Sequence, residues 1–312
     1  MIRRKFTILA SLLILLLATV DLVSAQNRPG SVGAEFIRVP VSARAAGMGG
    51  AYIAVTSGAD AMYYNPAALV WTEEETNFFV NHTEYLADIS HEYFSVTHRS
   101  GNNGYGAAIT GLYTDLMMER TPQQPGGTGR TFFAANYRGS FAYARKMTRK
   151  VSLGVKASFM HMKLFDDMTE QSIGFDIAAD YHADFRDFRF AMKIANLGSE
   201  VKFVNESYPL PIKFEFGASM NAIEEENHIV KVSGNAFKPN DGDPRGQAGV
   251  EYSFRDLLFL RGGYKVSHDI EDFTAGMGLN IDLSGYIMQF NYGFSNFGNL
   301  GKVHRFGVEV RM

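Results

Sequence analysis

Apolar and polar residues alternate along most of the chain after Thr76. Between residues 210 and 222, for example, Ile212, Phe214 and Phe216 alternate with charged or small residues. Because successive side chains of a β-strand point to opposite faces, this pattern predicts strands with one apolar face and one small or charged face. The segments that show it lie near residues 76–83, 89–99, 104–114, 131–146, 151–164, 172–184, 187–197, 210–222, 228–238, 246–255, 258–268, 273–283, 286–296 and 303–312.

These fourteen segments predict an all-β fold, a 14-stranded antiparallel transmembrane β-barrel. Single-chain bacterial outer-membrane barrels have an even number of strands, and a strand of about ten residues crosses a bilayer at a tilt. The predicted connections alternate between tight turns, as at 100–103, and longer loops, as at 116–130 and 165–171. Such barrels have short periplasmic turns and longer outer loops. The alternative is a soluble all-β protein whose apolar faces form a common core.

The first 25 residues predict a secretory signal peptide. A positive start at residues 3–5 precedes an apolar run at 8–20, and Val23-Ser24-Ala25 is a small-residue cleavage site. The alternative is a retained anchor helix, but Asp21 ends the apolar run below the length of a membrane span. Cleavage near Ala25 and a barrel fold together predict a protein of the cell outer membrane.

Composition and motifs give no sign of an enzyme or of a nucleic-acid-binding protein. The net charge of -3 and the pI near 6.3 provide no electrostatic basis for binding nucleic acid. The chain has no Cys, which excludes disulfides and thiolate metal sites, and it contains neither GxSxG nor HExxH. The acidic runs at 166–167 and 224–226 are interpreted as solvated loop ends, the first with a minor possibility of binding cations at the lipopolysaccharide surface. We therefore predict no catalytic residues, no metal site and no cofactor.

The stretch from Val39 to Trp71 differs from the rest of the chain because it is rich in Ala and Gly and has little charge. Two segments in it, SARAAGMGGAY at 42–52 and ADAMYYNPAAL at 59–69, resemble the PorV/PorQ family of bacterial outer-membrane proteins. That family is itself similar to the FadL-type long-chain fatty-acid transporter barrels. The resemblance implies a plug segment at 26–75 inside a fourteen-stranded barrel at 76–312.

The resemblance also gives the plug a motif whose residue types fit a confined lumen. Glycines permit tight bends and close approach to the wall, and Asn-Pro favours a turn. Two charged members, Arg44 and Asp60, are expected to pair with lumen charges. Because an even strand count puts both barrel ends on the periplasmic side, both ends of the 39–71 stretch are expected there as well. The motif residues are Arg44, Gly47, Met48, Gly49, Gly50, Asp60, Asn65 and Pro66.

The resemblance to PorV/PorQ implies a role in type IX protein secretion, in which the barrel binds exported cargo and shuttles it to surface-attachment machinery. The long loops are then the docking surface, and the partners are that cargo, that machinery and outer-membrane lipid or lipopolysaccharide. The alternative is a FadL-like channel for passive uptake of hydrophobic molecules. The candidate partner-binding loop residues are Met118, Arg120, Gln123, Arg130, Phe203 and Tyr208.

Overall fold

A computed structural model describes residues 30–165, 168–203, 205–268, 271–283 and 285–312. The predicted signal peptide and the acidic pair at 166–167 lie outside the described residues. In the described part of the chain, none of the helices has the length and apolar content needed to cross a membrane.

The described residues form fourteen long strands that close into one antiparallel barrel, as the alternation predicts. Each strand pairs with its neighbours in the chain, and the last strand closes the barrel on the first, with Asn77 opposite Arg311. The strands are β1 (Thr76–Glu84), β2 (Ser90–Ser100), β3 (Asn103–Tyr113), β4 (Ala135–Lys146), β5 (Val151–Phe165), β6 (Met168–Ala183), β7 (Phe188–Gly198), β8 (Lys213–Glu225), β9 (His228–Pro239), β10 (Arg245–Phe254), β11 (Leu258–Val266), β12 (Phe273–Leu283), β13 (Tyr286–Asn296) and β14 (Lys302–Arg311).

The two faces of this wall have opposite character, and the apolar face points outward. Phe141 is 73% exposed and Ile109 is 62% exposed, whereas Lys156, Asp176 and Glu251 point inward and are buried. A soluble protein would turn the apolar side chains into its core. The outward apolar face is the arrangement of a transmembrane barrel, so the fold prediction is confirmed and the soluble alternative is wrong.

Connections that follow odd-numbered strands lie at one end of the barrel, which we call the long-loop end, and the others lie at the short-turn end. One predicted long loop, at 165–171, is wrong because β5 continues to Phe165 and β6 begins at Met168. Lys163 pairs with Thr169 there, and backbone pairing of this kind requires no apolar face. A second deviation is that Thr131–Phe132 leaves the wall and pairs with Met117–Met118 in a small hairpin.

The described residues before β1, 30–75, occupy the barrel lumen as short helices and turns. Two 3₁₀ turns, Glu35–Arg38 and Pro66–Val70, flank α1 (Ala43–Gly47) and α2 (Ala61–Tyr64). Their apolar residues are almost completely buried, and α1 packs against β12 and β13 while the second 3₁₀ turn packs against β4 and β5. The core of this protein is therefore the contact between the plug and the inner wall.

The plug crosses the lumen from one end to the other. Gly33 N donates to Pro209 O at 2.9 Å, and the guanidinium of Arg38 lies 2.6 Å from the carboxylate of Asp241, both at the long-loop end. Trp71 lies at the short-turn end, beside Ser152. The expectation that both ends of the 39–71 stretch lie on the periplasmic side is wrong, because the strand count locates the ends of the barrel wall and not the chain that precedes it.

Candidate functional site

The plug is held against the wall at glycines on both surfaces. A Cβ atom at Gly47 of α1 would lie 2.9 Å from Gly276 Cα on β12. A Cβ atom at Gly249 on β10 would lie 2.5 Å from the carbonyl oxygen of Met48. Both distances are shorter than an ordinary contact of about 3.5 Å between carbon atoms. Close backbone-to-backbone packing, which side chains would prevent, therefore holds this part of the plug.

Gly49 and Gly50 end α1 with a turn that requires left-handed backbone. Their φ angles are 67° and 83°, a region that only glycine adopts at little cost. The amide of Gly50 donates to Ala45 O at 2.9 Å, as expected for a helix C-terminal cap. The predicted bend at Gly47–Gly50 thus lies where the chain leaves α1.

Arg44 joins the plug to the wall through a buried ion pair. Its Nε and Nη2 donate to the two carboxylate oxygens of Glu251 at 2.8 and 2.7 Å. Arg261 on β11 donates to the same carboxylate from its Nε at 2.6 Å. A planar guanidinium matches a carboxylate in this two-point manner, so the pair fixes the orientation of α1 in the lumen.

Among the described residues, no cation of the wall forms an ion pair with Asp60, contrary to the expectation. Its carboxylate accepts from Ser42 Oγ at 3.0 Å and from Thr56 Oγ1 at 2.8 Å, both within the plug. Burial raises the pKa of Asp60, and these hydroxyl donors partly offset that cost. Asp60 therefore stabilises the internal fold of the plug, because it ties the beginning of α1 to the beginning of α2.

Asn65 and Pro66 form the second predicted bend. Asn65 Oδ1 accepts from the amide of Ala67 at 3.1 Å, and its Nδ2 donates to Ile53 O at 3.1 Å. Pro66 begins the 3₁₀ turn, where the missing amide hydrogen costs nothing. This bend directs the chain toward the short-turn end.

Trp71 anchors the plug at the short-turn end. Its Nε1 donates to Ser152 Oγ at 2.8 Å, and its ring stacks on His182 with 4.0 Å between ring centres. Lys146 Nζ lies 4.3 Å from the centre of the same ring, within the range of a cation–π contact. The junction between the plug and β1 is thus held by three side chains of the wall.

A cavity of about 790 Å³ lies above the plug at the long-loop end. Tyr63 and Tyr64 of α2 form part of its floor, and Tyr63 Oη donates to Ile37 O at 3.1 Å. Its upper wall joins residues of the first 3₁₀ turn to residues of the barrel, and it combines an apolar part with charged residues such as Arg38, Asp241 and Arg245. The apolar lining residues include Phe36, Ile37, Leu112, Met162, Phe203 and Phe237.

Charged side chains surround the tyrosines on the cavity floor. Lys156 Nζ and the carboxylate of Asp176 are 2.6 Å apart, and so are Lys213 Nζ and the carboxylate of Glu215. Lys193 Nζ donates to Tyr63 O at 3.0 Å. The cavity therefore has a mouth that is apolar on one side and charged on the other, and a polar floor that includes the peptide group of Tyr63.

The first 3₁₀ turn closes one side of the mouth through an ion-paired latch. Arg38 donates to both carboxylate oxygens of Asp241, at 2.6 and 3.1 Å, and to Glu35 at 2.9 Å. Partial burial alone would raise the pKa of Asp241, but hydrogen bonding and charge from Arg38 hold it below its ordinary value. Burial raises the pKa of Glu35 despite the same guanidinium. Asp241 is thus the main carboxylate of the latch.

Comparison with known proteins identifies the family and the fold. Residues 18–174 match the model of an uncharacterised protein family, UPF0164. The chain belongs to this family. A comparison with curated proteins gives no match.

Solved structures with a similar fold belong to FadL-like transporters. The toluene transporter TbuX of Ralstonia pickettii is 13% identical, with a TM-score of 0.56 over 86% of this chain and 96% of that chain. The toluene transporter TodX of Pseudomonas putida is 11% identical, with a TM-score of 0.57 over 86% and 96%. A FadL homologue of Pseudomonas aeruginosa is 8% identical, with a TM-score of 0.53 over 86% and 97%. The UPF0164 chain therefore has the fold of a FadL-like outer-membrane barrel.

The candidate loop residues of this UPF0164 barrel do not converge. Met118, Arg120 and Gln123 are exposed on the 116–132 hairpin. Arg130 lies 3.8 Å from the carboxylate of Glu119 on the same hairpin. Tyr208 Oη donates to Glu206 at 2.8 Å. Phe203 alone among the six candidates, all of them described residues, lines the cavity.

The sequence analysis missed the most distinctive residues of the cavity. Tyr63 and Tyr64 were read as part of a family motif, and their position on the floor follows only from the fold of α2. Lys156 and Lys193 occur among the small residues of the lumen face. The alternation predicts that both side chains point into the lumen, but it does not predict that they lie near each other. The sequence signal for this site was a lysine at an inward-facing position in each of two nearby strands, Lys156 in β5 and Lys193 in β7.

Proposed function

We propose that this protein is a passive channel for hydrophobic molecules across the outer membrane. The cavity of about 790 Å³ at the long-loop end, with the apolar side chains of Phe36, Ile37, Leu112, Met162, Phe203 and Phe237 in its upper wall, is the observation that carries this proposal. Pockets of about 300 to 1,000 Å³ with mostly apolar walls are typical of small-molecule sites. With the long loops outside the cell, the cavity is the first binding site for a molecule that arrives from the medium.

The plug is the barrier that makes the channel selective. In this proposal residues 26–75 form the plug, residues 76–312 form the wall, and residues 1–25 are the cleaved signal peptide. Below Tyr63 and Tyr64, plug residues such as Met48, Ala61 and Leu69 are almost completely buried against the wall. A molecule bound in the cavity therefore passes only when part of the plug moves.

Similarity of fold supports this proposal by analogy. Two of the similar structures are toluene transporters, and another, CymD, is a monoaromatic hydrocarbon channel. Their identity to this chain is 13% or less, so the likeness shows only a shared fold. The cavity alone supports the proposed substrate class.

Binding of a hydrophobic fluorescent probe such as N-phenyl-1-naphthylamine to the purified, detergent-solubilised barrel tests the proposal. Phe203→Ser removes an aromatic ring from the cavity, and we expect it to weaken binding by about tenfold, the effect of losing roughly 1.5 kcal/mol of apolar contact. Phe133→Ser is the matched control, because Phe133 is exposed beside the 116–132 hairpin and does not line the cavity. Equal affinity in both variants would argue against the cavity as the binding site.

The type IX secretion hypothesis is the second candidate, and it rests on the resemblance of residues 42–69 to PorV/PorQ. Its docking surface would be the exposed hairpin at 116–132, with Met118 and Gln123 at its surface. Purification of the tagged protein from detergent-solubilised outer membrane separates the two functions. Recovery of exported proteins or attachment machinery would support the shuttle, whereas recovery of lipid or hydrocarbon without them would support the channel.

A further inference from the structure

The cavity floor carries more positive than negative charge. Arg138, Lys156, Lys193 and Lys213 are the cations of the charged group that includes Asp176 and Glu215. The other charged residues that line the cavity lie toward the long-loop end: Glu35, Arg38, Asp241, Asp243, Arg245, Lys265 and Glu271. Two of the four cations, Lys156 and Lys213, are paired with those carboxylates at 2.6 Å. Two positive charges therefore remain without a carboxylate partner.

The two remaining cations are deeply buried and their hydrogen-bond partners are neutral, although Asp176 and Glu215 interact with them electrostatically from a greater distance. Arg138 is 5% exposed and Lys193 is 4% exposed. Arg138 Nε donates to Ser158 Oγ at 3.1 Å, and Lys193 Nζ donates to Tyr63 O at 3.0 Å. No carboxylate of the described residues lies within 4.0 Å of either charged group. Burying a cation without a counter-charge is costly, so this arrangement calls for an anion.

These side chains come from different strands and converge on one place. Lys156 Nζ on β5 and Lys193 Nζ on β7 lie 6.0 and 5.9 Å from the centre of the Tyr63 ring. Arg138 on β4 lies close enough to interact electrostatically with both Asp176 and Tyr63. Three cations thus lie around the ring of Tyr63 at the floor of the cavity.

We propose that this floor binds the doubly negative head group of an amphiphile, a phosphate monoester, whose tail lies against the apolar side chains of the upper wall, such as Leu112, Met162 and Phe203. This inference rests on the proposed channel function and names its substrate class. A phosphate monoester carries about -1.5 to -2 charge near neutral pH, which matches the two unpaired cations, whereas a carboxylate balances one of them. The planar guanidinium of Arg138 also suits the two-point geometry of phosphate.

Three probes with the same tail and different heads test the inference: dodecyl phosphate, dodecanoate and 1-dodecanol. Equilibrium dialysis measures their affinity for the purified full-length protein in a mild non-ionic detergent at neutral pH. We expect the phosphate to bind about tenfold more tightly than the carboxylate, and the carboxylate more tightly than the alcohol. We expect Lys193→Met to remove the advantage of phosphate over carboxylate and to leave the affinity for dodecanol unchanged.

Lys202→Met is the matched control, because Lys202 is exposed at the long-loop end and does not line the cavity. It should leave all three affinities unchanged. Heat-modifiable gel migration shows whether each variant retains a folded barrel, and Arg138→Met replaces Lys193→Met if the latter does not fold.

The outcomes separate this inference from the channel function. Equal affinity for phosphate and carboxylate, or equal losses for all three probes in Lys193→Met, would overturn the dianion site. Preference for dodecanol would overturn it as well, while leaving a channel for neutral molecules. Failure of the wild-type protein to bind any of the three probes would contradict the channel function itself.

Discussion

A side chain added to the lumen face at Gly249 should displace the plug. On β10, a Cβ atom at Gly249 would lie 2.5 Å from Met48 O and 3.0 Å from Met48 Cβ. Since ordinary contact begins at about 3.5 Å, Gly249→Val forces α1 away from the wall by about 1 Å or more. The obstacle is backbone on both surfaces, so no change of rotamer relieves it.

The expected cost follows from the packing that this shift disturbs. Overpacking of a well-packed core costs about 1 to 3 kcal/mol. The ion pair between Arg44 and Glu251 lies on the same short helix, so a shift of α1 also lengthens its bonds of 2.8 and 2.7 Å. We therefore expect Gly249→Val to lower the free energy of unfolding by roughly 3 kcal/mol, toward the upper part of that range.

Gly262→Val is the matched control, because Gly262 lies on the neighbouring strand β11. A Cβ atom there has Val250 Cγ1, at 3.8 Å, as its nearest contact. Both variants place valine in a strand, so any general effect of the substitution on the strand is shared. Only Gly249→Val presses on the plug.

Two measurements distinguish the variants. Urea unfolding in lipid vesicles gives the stability difference, and conductance in planar bilayers reports whether the displaced plug leaves a water-filled path. We expect Gly249→Val to be less stable and to show ion conductance that the wild-type protein and Gly262→Val do not show. If the two variants are equally stable and equally closed, the contact between α1 and β10 does not seal the lumen.

Two further predictions concern the ends of the plug. Because Arg38 lowers the pKa of Asp241 in the folded protein, the latch stabilises the fold above the ordinary carboxyl pKa of 3.8 and is lost as the pH falls below that value. The protection factors of the amides in residues 33–41, which compare exchange with the intrinsic rate at the same pH, should therefore fall on acidification in the wild-type protein, and they should already be low at pH 7 in Arg38→Met; equal protection in the two proteins at pH 7 would exclude the latch. At the short-turn end, Trp71→Phe loses the hydrogen bond to Ser152 and should cost about 1 kcal/mol. Trp71→Ala also loses the stacked ring and should cost about 3 kcal/mol or more in urea unfolding, so equal effects would show that the ring stack contributes nothing.

The wall was predictable because the alternation of apolar and polar residues is a local pattern that every strand repeats. Alternation at residues such as Phe214 and Phe216 identifies the outward face of each strand, and the structure has all fourteen strands where the pattern puts them. Strand ends were less predictable. At Phe165 and Met168 backbone pairing continues beyond the apolar segment, so side-chain character does not mark the limit of the strand.

The path of the plug was not predictable, since it depends on contacts between distant parts of the chain. Arg38 meets Asp241 about two hundred residues later, and nothing near either residue indicates that pairing. Arg44 was expected to meet a lumen charge, but the sequence could not select Glu251. Asp60 was also expected to meet a lumen charge. Its hydrogen-bond partners are instead Ser42 and Thr56, which belong to the same segment of the chain.

The cavity was the least predictable feature. Phe203 was predicted to be a loop residue for docking proteins, but it lines the cavity from the small sheet that Val201–Phe203 forms with Glu206–Tyr208. Lys193 and Arg138 belong to strands that are separated in the wall, so only barrel closure and the plug bring them to the same floor.

Uptake by intact cells tests the central claim most directly. Cells of an outer-membrane-bearing host that express the protein are compared with cells that carry an empty vector, with radiolabelled 1-dodecanol as the hydrophobic solute and a labelled disaccharide as the hydrophilic one. A plugged channel with an apolar cavity predicts faster uptake of dodecanol and unchanged uptake of the sugar. Unchanged uptake of dodecanol, or faster uptake of the sugar, would contradict it.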